Sequence, residues 1–161
     1  SRIEGVLDDA SGTVAAAVEF TDKKAKDAAV SLSALVTLPD TATPDDVERA
    51  VATHGFSRYV VVDGQNVPVG YVHLKDVLRE AEGQHRDERA SRPIPAKRIH
   101  HMVQVSEGTD LEDALALMRR SSKHLAQVRD DAGNTTAVLF LEDIIEELVG
   151  EVQDATRRGR R

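Results

Sequence analysis

Apolar and polar positions along the chain follow one pattern twice, the second time in degraded form. Tyr59-Val60-Val61-Val62-Asp63 is followed by Val69-Gly70-Tyr71-Val72-His73-Leu74-Lys75-Asp76. Later, Ala126-Gln127-Val128-Arg129-Asp130 is followed by Thr136-Ala137-Val138-Leu139-Phe140-Leu141-Glu142-Asp143. Asp63 and Asp76 lie thirteen positions apart, as do Asp130 and Asp143, and Leu74 and Leu141 fall in step at an offset of 67. Solenoid units run to roughly 20–50 residues and need three or more copies, so two packed copies of one small folding unit fit better.

The same patterning predicts the elements. Val6, Ala10, Val14, Ala17 and Val18 stand near helical spacing across residues 5–20, against the weakening effect of Gly12. Val36 to Leu38 reads as a short strand. Thr43-Pro44-Asp45-Asp46 is a helix start, with Thr43 as N-cap, Pro44 in the first helical position and carboxylates in the first turn. Gly55 supplies the stop. The β-branched run Tyr59–Val62 predicts a buried strand, joined by the turn residues 63–66 to a second strand over Val67–Val72. A helix resumes from Leu74 to about Ala81.

Residues 83–98 are polar, hold Pro93 and Pro95, and offer almost nothing to bury, which marks them as the linker between copies. The second copy predicts a strand at Met102–Val105, a helix capped by Thr109, strands at Leu125–Val128 and Thr135–Leu139 across a turn at 130–134, and a last helix. That helix places Ile144, Ile145, Leu148, Val149 and Val152 on one stripe and Glu142, Asp143, Glu146, Glu147 and Glu151 on another. Each copy therefore runs strand, helix, strand, strand, helix. This is an α+β unit too small to close its own core, so the copies are expected to pack sheet against sheet.

Composition narrows the function classes. The 161 residues are 40% hydrophobic and only 3% aromatic, so the core must be aliphatic. A net charge of −7 argues against nucleic acid as the main partner. There is no cysteine, which excludes disulfides and thiolate metal sites. No apolar run reaches the roughly 18 residues of a membrane span. The chain opens on Ser1, and a longer parent carrying the membrane spans is the expectation.

The doubled order of elements resembles the CBS-domain pair, or Bateman module, and particular stretches resemble the CorC/HlyC family of magnesium and cobalt transport-associated membrane proteins. Gly55-Phe56-Ser57-Arg58-Tyr59-Val60-Val61-Val62-Asp63-Gly64 is similar to that family's G-H/F-S-R-Y/F-P-V-V-D-G. Gly70-Tyr71-Val72-His73-Leu74-Lys75-Asp76-Val77-Leu78 is similar to its G-x-V-H-x-K-D-L-L. Ser122-Lys123-His124-Leu125-Ala126 resembles S-x-S-H-M-A, and residues 141–151 follow L-E-D-L-L-E-E-I-V-G-E almost letter for letter. Glu4-Gly5-Val6-Leu7-Asp8 resembles the segment between the family's membrane domain and its CBS pair.

The resemblance implies tandem CBS domains, each β-α-β-β-α, packed as a pseudo-two-fold pair. Repeat 1 would cover residues 30–82, the linker 83–98 and repeat 2 residues 99–152. Residues 1–29 would form a helical link from a transmembrane domain, and residues 153–161 a basic tail. It also implies a regulatory module on the cytoplasmic face of the membrane, not an enzyme, that forms a homodimer through its CBS pairs. Adenine nucleotide, ATP with Mg²⁺ in this family, would bind between the repeats.

The family's nucleotide signature is Gly-x-x-Thr/Ser-x-x-Asp at the start of a repeat's last helix. Glycine admits the ligand to backbone, the hydroxyl and helix N-terminus favour phosphate, and the carboxylate bonds ribose. Asp76 and Asp143 occupy the carboxylate position; either also stabilises a helix start with no ligand at all. His73 takes the hydroxyl position in the first repeat. In the second, Phe140 replaces the hydroxyl and Ala137 the glycine, while residues 28–33 lose the family's Pro and Arg. Arg58 is a candidate fork for phosphate, with a surface ion pair as the alternative. Tyr59 is a candidate stacking platform for adenine, with a core aromatic as the alternative.

Other features carry less. His124 is expected to order the repeat interface. His100-His101 lacks metal-ligand spacing on a helix, so no metal site is expected. The acidic face of the last helix and the arginines of residues 157–161 read as solvated. A sensor of adenine nucleotide is the leading reading. A dimerisation scaffold with a decayed nucleotide site is the alternative, and catalysis by paired carboxylates such as Asp130 and Asp143 lacks a nucleophile–base pair or phosphate loop beside them.

Overall fold

A computed structural model describes residues 22–83 and 85–159. The helix expected over residues 5–20 lies outside them. Six α-helices and two sheets are present among the described residues, and they sort into two compact units. Residues 33–102 form one. Residues 22–32, which carry the short helix α1 (Ala25–Ala28), join residues 103–159 to form the other.

In the first unit, β2 (Thr37–Pro39) runs parallel to β3 (Arg58–Val62), which pairs antiparallel with β4 (Pro68–His73). Helix α2 (Pro44–His54) crosses between β2 and β3, and α3 (Leu74–Glu80) follows β4 directly. The α2 start follows the sequence closely. Thr43 Oγ1 accepts from Asp46 N while Asp46 accepts from Thr43 N at 2.9 Å, a reciprocal capping box. Those bonds hold the Asp46 carboxyl below its ordinary range, the Thr43 backbone donor contributing most. Gly55 ends the helix in the left-handed region at φ 78°, where a Cβ would be strained. Leu38, Val47, Tyr59, Val61, Val72 and Val77 are buried together as this unit's core.

The second unit repeats the plan: β5 (Val103–Ser106) lies parallel to β6 (Leu125–Arg129), and β6 antiparallel to β7 (Thr135–Phe140). Helix α5 (Leu111–Arg120) joins β5 to β6, and α6 (Leu141–Gly159) leaves β7. Leu111, Leu115, Met118, Leu139, Ile144 and Leu148 form its aliphatic core. Burying each such side chain is worth about 1.5–3 kcal/mol.

The aspartates that mark the repeat have a local role. Asp63 Oδ1 accepts from Gln65 N at 2.8 Å and Val67 N at 3.0 Å; Asp130 Oδ1 accepts from Ala132 N at 3.0 Å and Asn134 N at 2.9 Å. Each therefore folds its own turn. Both hairpins also carry an irregularity at the matching place, Val61/Val62 and Val128/Arg129.

Three expectations need correction. Thr109 does not cap α5: Asp110 is the N-cap residue, and Thr109 Oγ1 instead accepts from Ser106 N at 3.2 Å. The hydroxyl bonds backward into the turn, the usual competitor of capping. The linker is not without buried contacts, because Ile94 is 7% exposed and its N–H donates to Ala42 O at 2.9 Å. It also holds a short helix, α4 (Arg86–Ala90). Finally, residues 153–159 of the expected basic tail continue α6, whose backbone stays helical to Gly159.

One edge of each sheet is closed by a short segment that sequence patterning did not show. On β7 it is β1 (Val30–Ser31), antiparallel, with Val30 opposite Val138 and Ser31 opposite Ala137. On β4 it is the chain around His100, which exchanges two backbone bonds with Tyr71 at 2.9 and 2.8 Å. Tyr71 and Val138 differ by the repeat offset of 67, so both edges are covered at the same register.

Candidate functional site

The junction of last strand and last helix is the position the signature singles out, and it is built twice. Leu74 N donates to Ser57 O at 2.8 Å, and Leu141 N to His124 O at 2.9 Å, fixing each junction to the start of the neighbouring strand. The backbone frame is shared. The side chains are not.

In the first unit, His73 is the N-cap of α3, its Nδ1 accepting from Lys75 N at 3.0 Å. This needs an unprotonated Nδ1. Burial, foremost, and then the Arg58 charge hold the His73 imidazole below its ordinary pKa. Arg58 stands directly across from it, in register on β3. Asp76, in the first turn, accepts from His100 Nε2 at 2.6 Å, with the carboxylate only 18% exposed. The His100 ring lies against Tyr71, centroids 5.0 Å apart and planes 25° from parallel. Gly70 is also in use: a Cβ there would stand 2.4 Å from His100 O and 2.6 Å from Ile99 Cγ2. The backbone that glycine leaves open is approached by the chain itself.

Tyr59 is 1% exposed and packs with Val47, Val72 and Val77. Its ring is core, tilted 58° against Phe56 at 6.1 Å, and its hydroxyl is buried without a partner among the described residues. In this conformation the ring offers no open face for a base to stack on.

In the second unit the same positions are furnished differently. Ala137 faces Ser31, and Phe140, half-buried, closes β7 opposite Leu125. Asp143 is half-buried and makes no hydrogen bond or ion pair with a described residue. Its carboxyl is pushed above the ordinary range by burial first, then by Glu146, Glu142 and Glu147. One turn along α6, Glu147 takes Lys23 Nζ at 2.6 Å. His124 Nδ1 sits 3.7 Å from Glu142 Oε1, within ion-pair range but too long for a hydrogen bond. Around His73, then, stand Arg58, Lys75, Asp76 and His100, the last of them bonded to Asp76; around Asp143 stand three glutamates.

The family model for the CBS domain matches residues 27–83 and again 96–150. The chain belongs to the CBS-domain family. It is a CBS pair, and its relatives are of the CorC/HlyC kind. A "Possible hemolysin C" of Rickettsia akari is 31% identical over 85% of this chain and 44% of its own length. An uncharacterised protein of Mycobacterium tuberculosis is 39% identical over 81% of this chain and 35% of its own. The chain thus spans about a third to under half of these relatives. Among solved structures, the CBS domain of the bacterial CNNM/CorC family Mg²⁺ transporter in complex with ATP is 28% identical, covering 89% of this chain and 97% of that one, with a TM-score of 0.72.

The remaining sequence candidates are also placed. His100 and His101 diverge, the first bound to Asp76 and the second exposed at a hollow of about 380 Å³ lined by Asp40, Val69, Ile94, Ala96 and Ile99. No group of three or more His, Asp or Glu able to hold a metal ion exists among the described residues. None of their helices is long and apolar enough to cross a membrane. Asp130 is committed to its turn, which removes it from any carboxylate pair with Asp143. Reading the sequence missed His100 as the partner of Asp76 and Lys23 as the partner of Glu147. Neither contact has a local signature, since the partners lie 24 and 124 positions apart.

Proposed function

We propose that this CBS pair is the cytoplasmic regulatory module of a CorC/HlyC-type divalent-cation transport protein, taking an adenine nucleotide between its repeats and coupling occupancy to the conformation of a homodimer. The observation that carries this reading is Asp143. A half-buried carboxylate with no partner among the described residues, crowded by glutamates, costs stability, and such groups concentrate where a ligand is to be met. Ribose hydroxyls donating to Asp143 would supply the partner it lacks, favouring the charged form. The ATP complex of a CNNM/CorC CBS domain supports that ligand class. Arg58 is the proposed phosphate contact on the first repeat, and the Tyr59 hydroxyl remains a buried donor with no acceptor among the described residues. Mg²⁺ would arrive on the polyphosphate, because the described residues build no cage for it. By lowering the ligand's negative charge it would also ease approach to Glu142, Glu146 and Glu147.

Ligand that binds one dimer arrangement better than another shifts the population toward it, and the transmembrane part of the parent would read that shift. We read the module as regulatory rather than catalytic on the same grounds. Calorimetric titration with ATP, ADP and AMP, with and without Mg²⁺, tests the proposal. Saturable binding lost in Asp143→Ala is the expected result. Absence of heat at millimolar nucleotide with an intact dimer in sedimentation would instead favour a scaffold whose site has decayed, the reading that Phe140 and Ala137 support.

A further inference from the structure

The first repeat fills each position of the nucleotide signature, with His73 in place of the hydroxyl, and has already used each one. Gly70 lies under His100 O and Ile99 Cγ2; His73 caps α3; Asp76 is bonded to His100. The strand of chain responsible, from Arg98 to His101, is tied on at three further points. Arg98 Nε donates to Glu80 at 3.1 Å, the carboxylate 18% exposed; Tyr71 and His100 exchange backbone bonds; and the two rings stack. Upstream, Ile94 is buried in the same core.

We infer that these residues form a clasp for the inter-repeat linker, with His100 as the resident occupant of Asp76, so that the first repeat is self-liganded and takes no ribose. The imidazole N–H gives the carboxylate the charge-assisted bond a ribose hydroxyl would give. Glycine at position 70 serves the close approach of Ile99 and His100, so its presence does not mark a ligand-facing backbone. The linker side of this inference stands alone; only the ribose side rests on nucleotide binding by Asp143.

Hydrogen exchange of the whole domain, with titration of Mg²⁺–ATP, separates the two. Asp76→Asn and His100→Ala should lower protection of the Tyr71 and His100 amides about two- to fivefold, the scale of a partly exposed ion pair. Gly70→Ala, whose methyl must displace a backbone oxygen, should lower it more than about tenfold at those amides. Nucleotide affinity should stay within about twofold in Asp76→Asn. Unchanged protection in both Gly70→Ala and His100→Ala would overturn the clasp. Loss of nucleotide binding in Asp76→Asn, with protection and melting temperature kept, would overturn the self-liganded first repeat. If the wild type binds no nucleotide, the functional proposal fails while the exchange data still decide the clasp.

Discussion

Asp76 and Asp143 sit at equivalent points of the two repeats, yet one is held and the other is not. Asp76 has a histidine at 2.6 Å; Asp143 has no such partner among the described residues and has Glu142, Glu146 and Glu147 beside it. Equal backbones carry differently partnered carboxylates. The difference teaches that a duplicated signature can divide its labour, one copy binding the chain itself and the other left available. Perturbed, unsatisfied groups are poor for stability, and a fold keeps them where they serve something else.

The contrast breaks most readily at the glycine position. Gly70→Ala should cost about 1–3 kcal/mol, because the methyl meets backbone rather than a movable side chain. The reciprocal Ala137→Gly should cost less, about 0.5–1 kcal/mol, the usual penalty of glycine within a strand. Denaturant melts of the two variants compare them directly; equal costs would mean that the two edges are packed alike.

His73→Ala should cost about 1 kcal/mol through the lost cap at neutral pH. Because the folded-state pKa of His73 lies below its ordinary 6.5, the stability it contributes is present above that pH and lost as pH falls through the folded value. The penalty of His73→Ala should therefore shrink on acidification. Phe140, at the equivalent place, has no titratable group and predicts no such pH dependence for Phe140→Ala.

The smallest effect is the most diagnostic of Asp143. Its pKa is raised in the folded state, so its stabilising linkage is present below the ordinary 3.8 and lost as pH rises through the folded value. Asp143→Asn should thus stabilise the protein at neutral pH by about 0.5 kcal/mol, discounted for its exposure, and by nothing in acid. Thermal melts at the two pH values check this. Destabilisation at neutral pH would mean that Asp143 is a structural cap.

How much was legible follows from range. Thr43, Pro44 and Gly55 fix α2 through contacts within one turn, and Asp63 and Asp130 fold turns within four residues, so patterning found them. The two-residue β1 and the His100 segment close sheet edges by pairing with chain far away, and no alternation marks strands so short. Residues 83–98 looked empty because Ile94, the one buried side chain among the described residues there, is surrounded by polar residues that are mostly exposed. Tyr59 was readable as a strand aromatic, but its burial depended on α2 and α3 packing above it. Asp76 and Asp143 fall in the first turn of each repeat's last helix, as the pattern indicated, whereas the His100 that sets Asp76 apart comes from 24 positions away.

The most direct test is a calorimetric titration of Mg²⁺–ATP into the wild type, Asp143→Ala and Asp76→Ala side by side. Binding that persists within about twofold in Asp76→Ala and weakens at least tenfold, about 1.4 kcal/mol, in Asp143→Ala is the predicted result. Equal losses in both variants, or a loss confined to Asp76→Ala, would contradict the division of labour between the repeats.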